Sequence, residues 1–213
     1  MASLKAKVVR LLRSPWQNRV NGLVYLFAKL KTRLYYSWQF ASLGDGSVIY
    51  KPLFIGNPQC VHIGKNTVIR PGARIEAVIV NEDRPPSLVI GDNVNIEQNV
   101  HLVCSSRLVI ENNVSVTGNC AIVDTRHPYR DVDDPRKIGD RIDASAAPVI
   151  VGEGSFLGFG CVILPGAQIG RKCVIGANSV VNRVIPDRCV VSGNPGEIVM
   201  FYDPEGEVWT KMR

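Results

Sequence analysis

From Val151 to Pro186 an apolar residue returns at every sixth position: Val151, Leu157, Ile163, Ile169, Ile175 and Val181. Four residues after each of the first five stands a small side chain, Ser155, Cys161, Ala167, Cys173 and Ser179. Glycine follows the apolar residue directly at Gly152, Gly158, Gly170 and Gly176. A helix needs apolar spacing near 3.6 and an amphipathic strand a spacing of 2, so a period of six fits neither alone. A short strand and a tight turn, wound so that each hexad makes one side of a triangular coil, does fit.

The same period runs through most of the chain. Hexads begin at Leu43, Ile49 and Ile55, and resume at Ile63, Ile69 and Ile75, with Thr67 and Ala73 in the small slot. Ile90, Ile96 and Leu102 form a third trio; Ile110, Val116 and Ile122 form a fourth. Each trio amounts to one full coil, and the slips at 61–62, 81–89 and 108–109 fall between trios, where a corner can bulge without disturbing the stack. Pro85 and Pro86 mark the second slip as a surface loop. A longer, charged interruption, DTRHPYRDVDDPRKIGDRIDASAAP, separates Ile122 from Val151. Excursions of that length from a regular scaffold are functional or disordered. The predicted organisation is a helical N-terminal segment 1–42, a coil domain 43–190 with loop 124–148 protruding, and a tail 191–213 that leaves the period and turns back along the body.

Residues 1–42 read as helical in two pieces. Val8, Val9, Leu11 and Leu12 make a short apolar group before Pro15, and from Val20 to Phe40 the residues Leu23, Val24, Phe27, Leu30 and Leu34 follow helical spacing. Charge sharpens this picture. Eight of the 25 basic residues lie in residues 1–40, which hold no acid; the rest of the chain carries 17 basic and 19 acidic groups. The net charge of +6 is therefore a local basic patch, which gives no reason to expect a nucleic-acid partner. Two readings of the segment stand side by side: a cap over the open end of the coils, or a basic amphipathic helix lying peripherally on the inner membrane through residues 1–40.

Six cysteines (Cys60, Cys104, Cys120, Cys161, Cys173, Cys189) show no CxxC pair and no zinc-like clustering, and three occupy the small slot. They read as buried, reduced, space-filling thiols. No apolar run reaches the ~18 to 20 residues a membrane span needs, and no secretory signal is evident, so the cytoplasm is expected.

The run VIVGEGSFLGFGCVILPGAQIGRKCVIGANSVVNRVIP, followed by SGNPGEIV, resembles the hexapeptide-repeat acyltransferases. The loop motif DTRHPYRD is similar to that of the maltose, galactoside and polysaccharide O-acetyltransferases. The resemblance covers about residues 90–205 well, and 43–80 only as repeats. It implies a mainly β fold, a left-handed parallel β-helix with an N-terminal helical segment and an extended loop before the last two coils. It also implies a homotrimer in which acetyl-CoA, the acyl donor, lies extended between neighbouring β-helices, with no metal required.

Acyl transfer to an alcohol needs a group to take the hydroxyl proton as the oxygen attacks the thioester, and a neutral imidazole suits this near neutral pH. By the family match His127 is the catalytic base; Asp124, three residues earlier, could hold its second nitrogen. The matching coenzyme positions are Phe156, where relatives carry tryptophan, then Phe159, Ala177, Asn182 and Arg183, the last offering charge to the nucleotide phosphates. Gly158, with Phe159 and Gly160, allows close approach by a backbone N–H that stabilises the thioester oxyanion. On the acceptor side Glu97 replaces the family's asparagine, with Asn99 nearby; the carboxylate could receive sugar hydroxyls or pair with His127. An acceptor other than a simple galactoside or maltose is expected.

These residues point to direct, acetyl-CoA-dependent O-acetylation of a sugar or glycan hydroxyl in surface polysaccharide assembly. The alternative is N-acetylation of an amino group on a nucleotide-linked sugar. Two remoter readings, a gamma-class carbonic anhydrase and a non-catalytic β-helix scaffold, share the fold. The anhydrase reading fails on its ligands: the aligned positions are Val103, Gly118 and Val123, and His62 and His101 lie elsewhere along the stack.

Overall fold

The computed structural model describes residues 15–143, 145 and 147–212. The short helix expected around Val8–Leu12 lies outside them. The chain winds a left-handed parallel β-helix. Its first coil is β1 (Ser42–Leu43), β2 (Val48–Ile49) and β3 (Phe54–Gly56), and its second is β4 (Val61–Ile63), β5 (Val68–Ile69) and β6 (Arg74–Ala77). The third is β7 (Ser87–Ile90), β8 (Asn95–Ile96) and β9 (His101–Cys104), and the fourth β10 (Arg107–Ile110), β11 (Ser115–Val116) and β12 (Ala121–Val123). The fifth and sixth are β13 (Val149–Val151), β14 (Phe156–Leu157) and β15 (Val162–Ile163), then β16 (Gln168–Ile169), β17 (Val174–Ile175) and β18 (Val180–Val181). First, second and third strands of successive coils stack into three parallel faces.

Register explains the period of six. Ile63 stands over Ile90, Ile69 over Ile96 and Ile75 over Leu102, so each sixth residue adds one rung to an internal aliphatic ladder. These side chains are almost wholly buried. The small-slot residues Ser155, Cys161, Ala167, Cys173 and Ser179 are buried beside them, and all six cysteines are buried and unpaired. The glycine after the apolar residue has a packing cause: a Cβ on Gly152 would stand 2.5 Å from the Gly170 carbonyl carbon, and one on Gly158 would stand 2.6 Å from the Ala177 nitrogen. The corner between faces two and three uses left-handed asparagines instead, Asn99 and Asn119, whose side-chain amides link at 3.2 Å. Asparagine tolerates that conformation better than most residues.

The long excursion leaves the stack undisturbed, since Ile110 pairs with Val151 and Ile122 with Ile163 across it. It shares its position with the slips. Residues 57–60, 78–86, 105–106 and the excursion all lie between the third strand of one coil and the first of the next, so the irregular segments line one edge, called here the 3–1 edge. A shortened turn at Asn182–Arg183 ends the sixth coil on that edge and opens a partial seventh, β19 (Val184–Ile185) and β20 (Cys189–Ser192). This extra turn was not foreseen, because the spacing from Val181 to Ile185 drops from six to four. The tail turns back as expected: β21 (Glu197–Asp203) pairs antiparallel with β20, and β22 (Val208–Lys211) with β21.

The N-terminal helix α1 (Trp16–Lys31) continues into a π-helical turn, Thr32–Tyr36. Ala28, Thr32, Tyr36 and Phe40 are buried against the first coil. The Thr32 hydroxyl oxygen accepts the Ile49 N–H at 2.8 Å and its proton goes to the Ala28 carbonyl at 2.7 Å, so it satisfies an otherwise open strand edge. The stripe that suggested the helix is not the buried side: Leu23, Val24, Phe27, Leu30 and Leu34 are all half or more exposed. Among the described residues no helix is long and apolar enough to cross a membrane.

Candidate active site

The excursion is a closed, internally bonded loop. It leaves β12 at Asp124 and pairs Arg126 with Asp143 in an antiparallel bridge. A short 3-10 turn at Ile138–Asp140 follows its outer reach. The hub is Arg141, nearly buried although charged. Its guanidinium donates to the carbonyls of Asp131 at 2.8 Å, Asp134 at 2.6 Å and Arg136 at 2.6 and 3.0 Å, and stands 3.4 Å from the Asp134 carboxylate. A buried cation is tolerated when its donors are satisfied in this way. The Arg136 side chain and backbone N–H hold the Asp134 carboxyl well below the usual carboxylate range, with Arg141 adding to it.

His127 is exposed on this loop, and its Nδ1 lies 2.9 Å from the Arg141 carbonyl oxygen. A carbonyl can only accept, so in the neutral ring Nδ1 carries the proton and Nε2 the lone pair. Among the described residues Nε2 has no partner. The imidazole is thus held at one nitrogen and open at the other, as a base for an incoming proton must be.

Asp124 does not hold His127. It is fully buried, with Oδ1 accepting the Ser105 N–H at 2.5 Å and the Ser105 hydroxyl at 3.3 Å, and Oδ2 accepting the Ser106 N–H at 2.9 Å and the Cys104 thiol at 3.5 Å. It ties the root of the loop to the corner of the coil below. Burial, with the carboxylate beside it, pushes the Cys104 thiol well above its ordinary value. The position that the Asp was expected to fill is taken by a backbone carbonyl fourteen residues on.

The other candidates divide between two edges. Asn182 and Arg183 lie on the 3–1 edge with the loop, two coils beyond its root. Arg183 is not a free cation; it makes a two-pronged contact with Glu197 at 2.9 and 3.2 Å. Glu97, Asn99, Gly158, Phe159 and Ala177 lie on the opposite border of the third face, between faces two and three. Glu97 pairs with Arg70 at 3.7 Å and makes no contact with His127, while Asn99 is committed to the asparagine ladder. Phe156 projects from face two and Phe159 from the corner, both about half exposed, and Phe159 lies over Gly118, where a Cβ would meet its ring at 3.4 Å. One chain therefore does not bring the imidazole to the aromatic wall. The three histidines are also dispersed, His62 on face one, His101 on face three and His127 on the loop.

Beside the loop the 3–1 edge holds a pocket of about 310 Å³ lined by Asn81, Arg84, Pro85, Ser105, Ser106 and Ser145. Neither this pocket nor Arg141 was anticipated. Arg141 is one of several arginines in a charged loop, and nothing local marks which one turns inward.

The family described as bacterial transferase hexapeptide (six repeats) matches residues 148–183. WbbJ of Escherichia coli (strain K12), provisionally named a lipopolysaccharide biosynthesis O-acetyl transferase, is 28% identical over 168 residues, 77% of this chain and 83% of its own length. The galactoside O-acetyltransferase of the same strain is 31% identical over 160 residues, 75% of this chain and 63% of its own length. Among solved structures, a mutant of AntD, an N-acyltransferase from Bacillus cereus, in complex with dTDP-4-amino-4,6-dideoxyglucose and coenzyme A, superposes with a TM-score of 0.66 at 16% identity, covering 82% of this chain and 90% of that one. That likeness is one of fold.

Proposed function

We propose, from the match of residues 148–183 to the hexapeptide-repeat transferases and the similarity of most of the chain to sugar O-acetyltransferases, that the protein transfers the acetyl group of acetyl-CoA to a sugar hydroxyl in surface polysaccharide assembly. The observation that carries this reading is the state of His127, fixed through Nδ1 by the Arg141 carbonyl and open at Nε2. Nε2 takes the hydroxyl proton as the sugar oxygen attacks the thioester carbon. The tetrahedral intermediate collapses, the carbon–sulfur bond breaks, and the imidazolium returns the proton to the departing thiolate, giving the acetyl ester and free coenzyme A. Backbone N–H groups at a coil corner stabilise the oxyanion. No acyl-enzyme forms, in keeping with thiols that are all buried.

The division of candidates between two edges supports a trimer. If the 3–1 edge of one copy faces the 2–3 edge of the next, His127 meets a wall of Phe156, Phe159 and Ala177, and Glu97 reaches the acceptor from that neighbour. Asn182 lines the same groove, and Arg183 does so as a pair with Glu197. The small pocket by Arg84 supports an acceptor entering from the loop side. We assign catalysis to the coils 43–190 and the loop 124–148, with 191–213 covering their end. The enzyme works in the cytoplasm, with residues 1–40 against the inner leaflet. The N-acyltransferase likeness bears on fold alone and does not favour an amine acceptor.

The experiment is product analysis. Acetyl-CoA is incubated with neutral and amino-sugar glycans, and the new acetyl group is located by NMR before and after mild alkali. An alkali-labile ester supports the proposal; an alkali-stable amide formed only on amino sugars overturns O-transfer.

A further inference from the structure

The N-terminal helix has two unlike sides. Ala28 and Thr32, continued by Tyr36 and Phe40, are its buried side. At ~100° per residue, Leu23, Leu26, Phe27, Leu30 and Leu34 fall opposite, within an arc of about 100°. All five are more than half exposed, and Trp16 and Trp38 stand exposed toward the two ends. An exposed apolar stripe by itself says only that something covers it.

Charge narrows the occupant. No acid precedes Asp45 in the sequence, whereas Lys31 borders one side of the stripe and Lys29 and Arg33 the other. Burying this face against a second copy would bring cations together, a like-charge arrangement that costs several kcal/mol. A bilayer of anionic lipid answers both features, taking the apolar arc among its acyl chains and the cations at its headgroups. Beside the stripe, a pocket of about 400 Å³ opens between the helix and the first coil, with Lys29, Thr32, Arg33, Ser37, Asp45 and Ser47 in its lining. Among the described residues Lys29 and Arg33 make no ion pair, with Asp45 or with any other. The Thr32, Ser37 and Ser47 hydroxyls give their protons to backbone carbonyls, so the two cations, set against the one carboxylate, are what suit the pocket to a phosphate monoanion.

We propose that α1 lies in the surface of an anionic phospholipid bilayer, stripe inward, with Lys29 and Arg33 holding a lipid headgroup phosphate. This rests on residues 1–40 being the membrane-facing segment and adds how the membrane is recognised; it does not depend on the acetyl-transfer chemistry.

The test is flotation of the full-length protein with vesicles of phosphatidylglycerol and phosphatidylcholine, and with vesicles of phosphatidylcholine alone. The wild type is expected on the anionic vesicles and to leave them as salt rises. Lys29→Ala with Arg33→Ala lowers that affinity about 30-fold, and Phe27→Glu with Leu30→Glu abolishes it. Both variants keep the wild-type thermal transition and turnover with a soluble acceptor. Equal binding to both vesicle types, or an unchanged Lys29/Arg33 variant beside a lost Phe27/Leu30 variant, overturns the headgroup pocket while leaving a membrane-facing helix. Wild type on neither vesicle overturns both. A larger particle that the Phe27/Leu30 variant dissociates identifies a second copy as the occupant and overturns the proposal.

Discussion

His127 Nδ1 lies 2.9 Å from the carbonyl oxygen of Arg141, and the Arg141 guanidinium is itself held by three carbonyls of the same loop. The side chain that shapes the loop and the backbone atom that sets the histidine tautomer thus belong to one residue. The loop's fold and the orientation of the imidazole are coupled through it.

Replacing Arg141 with alanine removes a buried cation and leaves its carbonyl partners unmet, and hydrogen bonds to charged groups are worth about 1.5–3 kcal/mol each. Turnover is expected to fall at least tenfold with little change in the KM for acetyl-CoA, and the loop should become a site of rapid proteolysis. Lysine at this position should restore part of the protection. Unaltered turnover together with a nicked loop would break the coupling claimed here.

Asp124→Asn substitutes an amide for a carboxylate that accepts two backbone N–H groups, leaving one side-chain N–H group facing donors in a buried site. A loss of about 1–3 kcal/mol in stability follows, measurable as a lower melting temperature. Its catalytic effect should be smaller than that of His127→Ala. An Asp124 variant as inactive as the histidine variant, yet equally stable, would restore the direct catalytic role the sequence suggested.

Gly158→Ala places a Cβ 2.6 Å from the Ala177 nitrogen, where the next coil cannot withdraw without shifting the stack. Overpacking of this kind costs about 1–3 kcal/mol. Calorimetry without any ligand should show the loss. Full stability with impaired coenzyme binding would instead mark Gly158 as a ligand contact.

Acid should affect the loop late. The Asp134 carboxyl is held low chiefly by Arg136, and a depressed carboxylate contributes stability that is present above its unfolded value, near 4, and lost as pH falls through the folded one. Protease protection of the loop is expected to stay level from about pH 8 to about pH 4 and to decline only below that. A decline already at about pH 6 would show that another group governs the loop.

Much of this fold was legible because one inward residue per strand recurs at a fixed interval: Leu43, Ile96 and Val181 each end a strand where the period places them. Ile185 escaped because the corner before it is short. The N-terminal helix was legible as a helix but not as to which side packs, since Ala28 and Thr32 are less apolar than the stripe they oppose. His127 was marked by its motif. Its partner was not, because any backbone carbonyl can accept, and only the folded loop decides which one arrives. Glu197 on Arg183, and Ser105 with Ser106 on Asp124, are likewise contacts between distant segments that no local pattern records.

The most direct measurement is thiol release from acetyl-CoA with a competent glycan acceptor, for wild type and His127→Ala. The variant is predicted to lose about 10² to 10⁴ in turnover, with melting temperature and KM for acetyl-CoA unchanged. Equal turnover in the two proteins would contradict the assignment of His127 as the base.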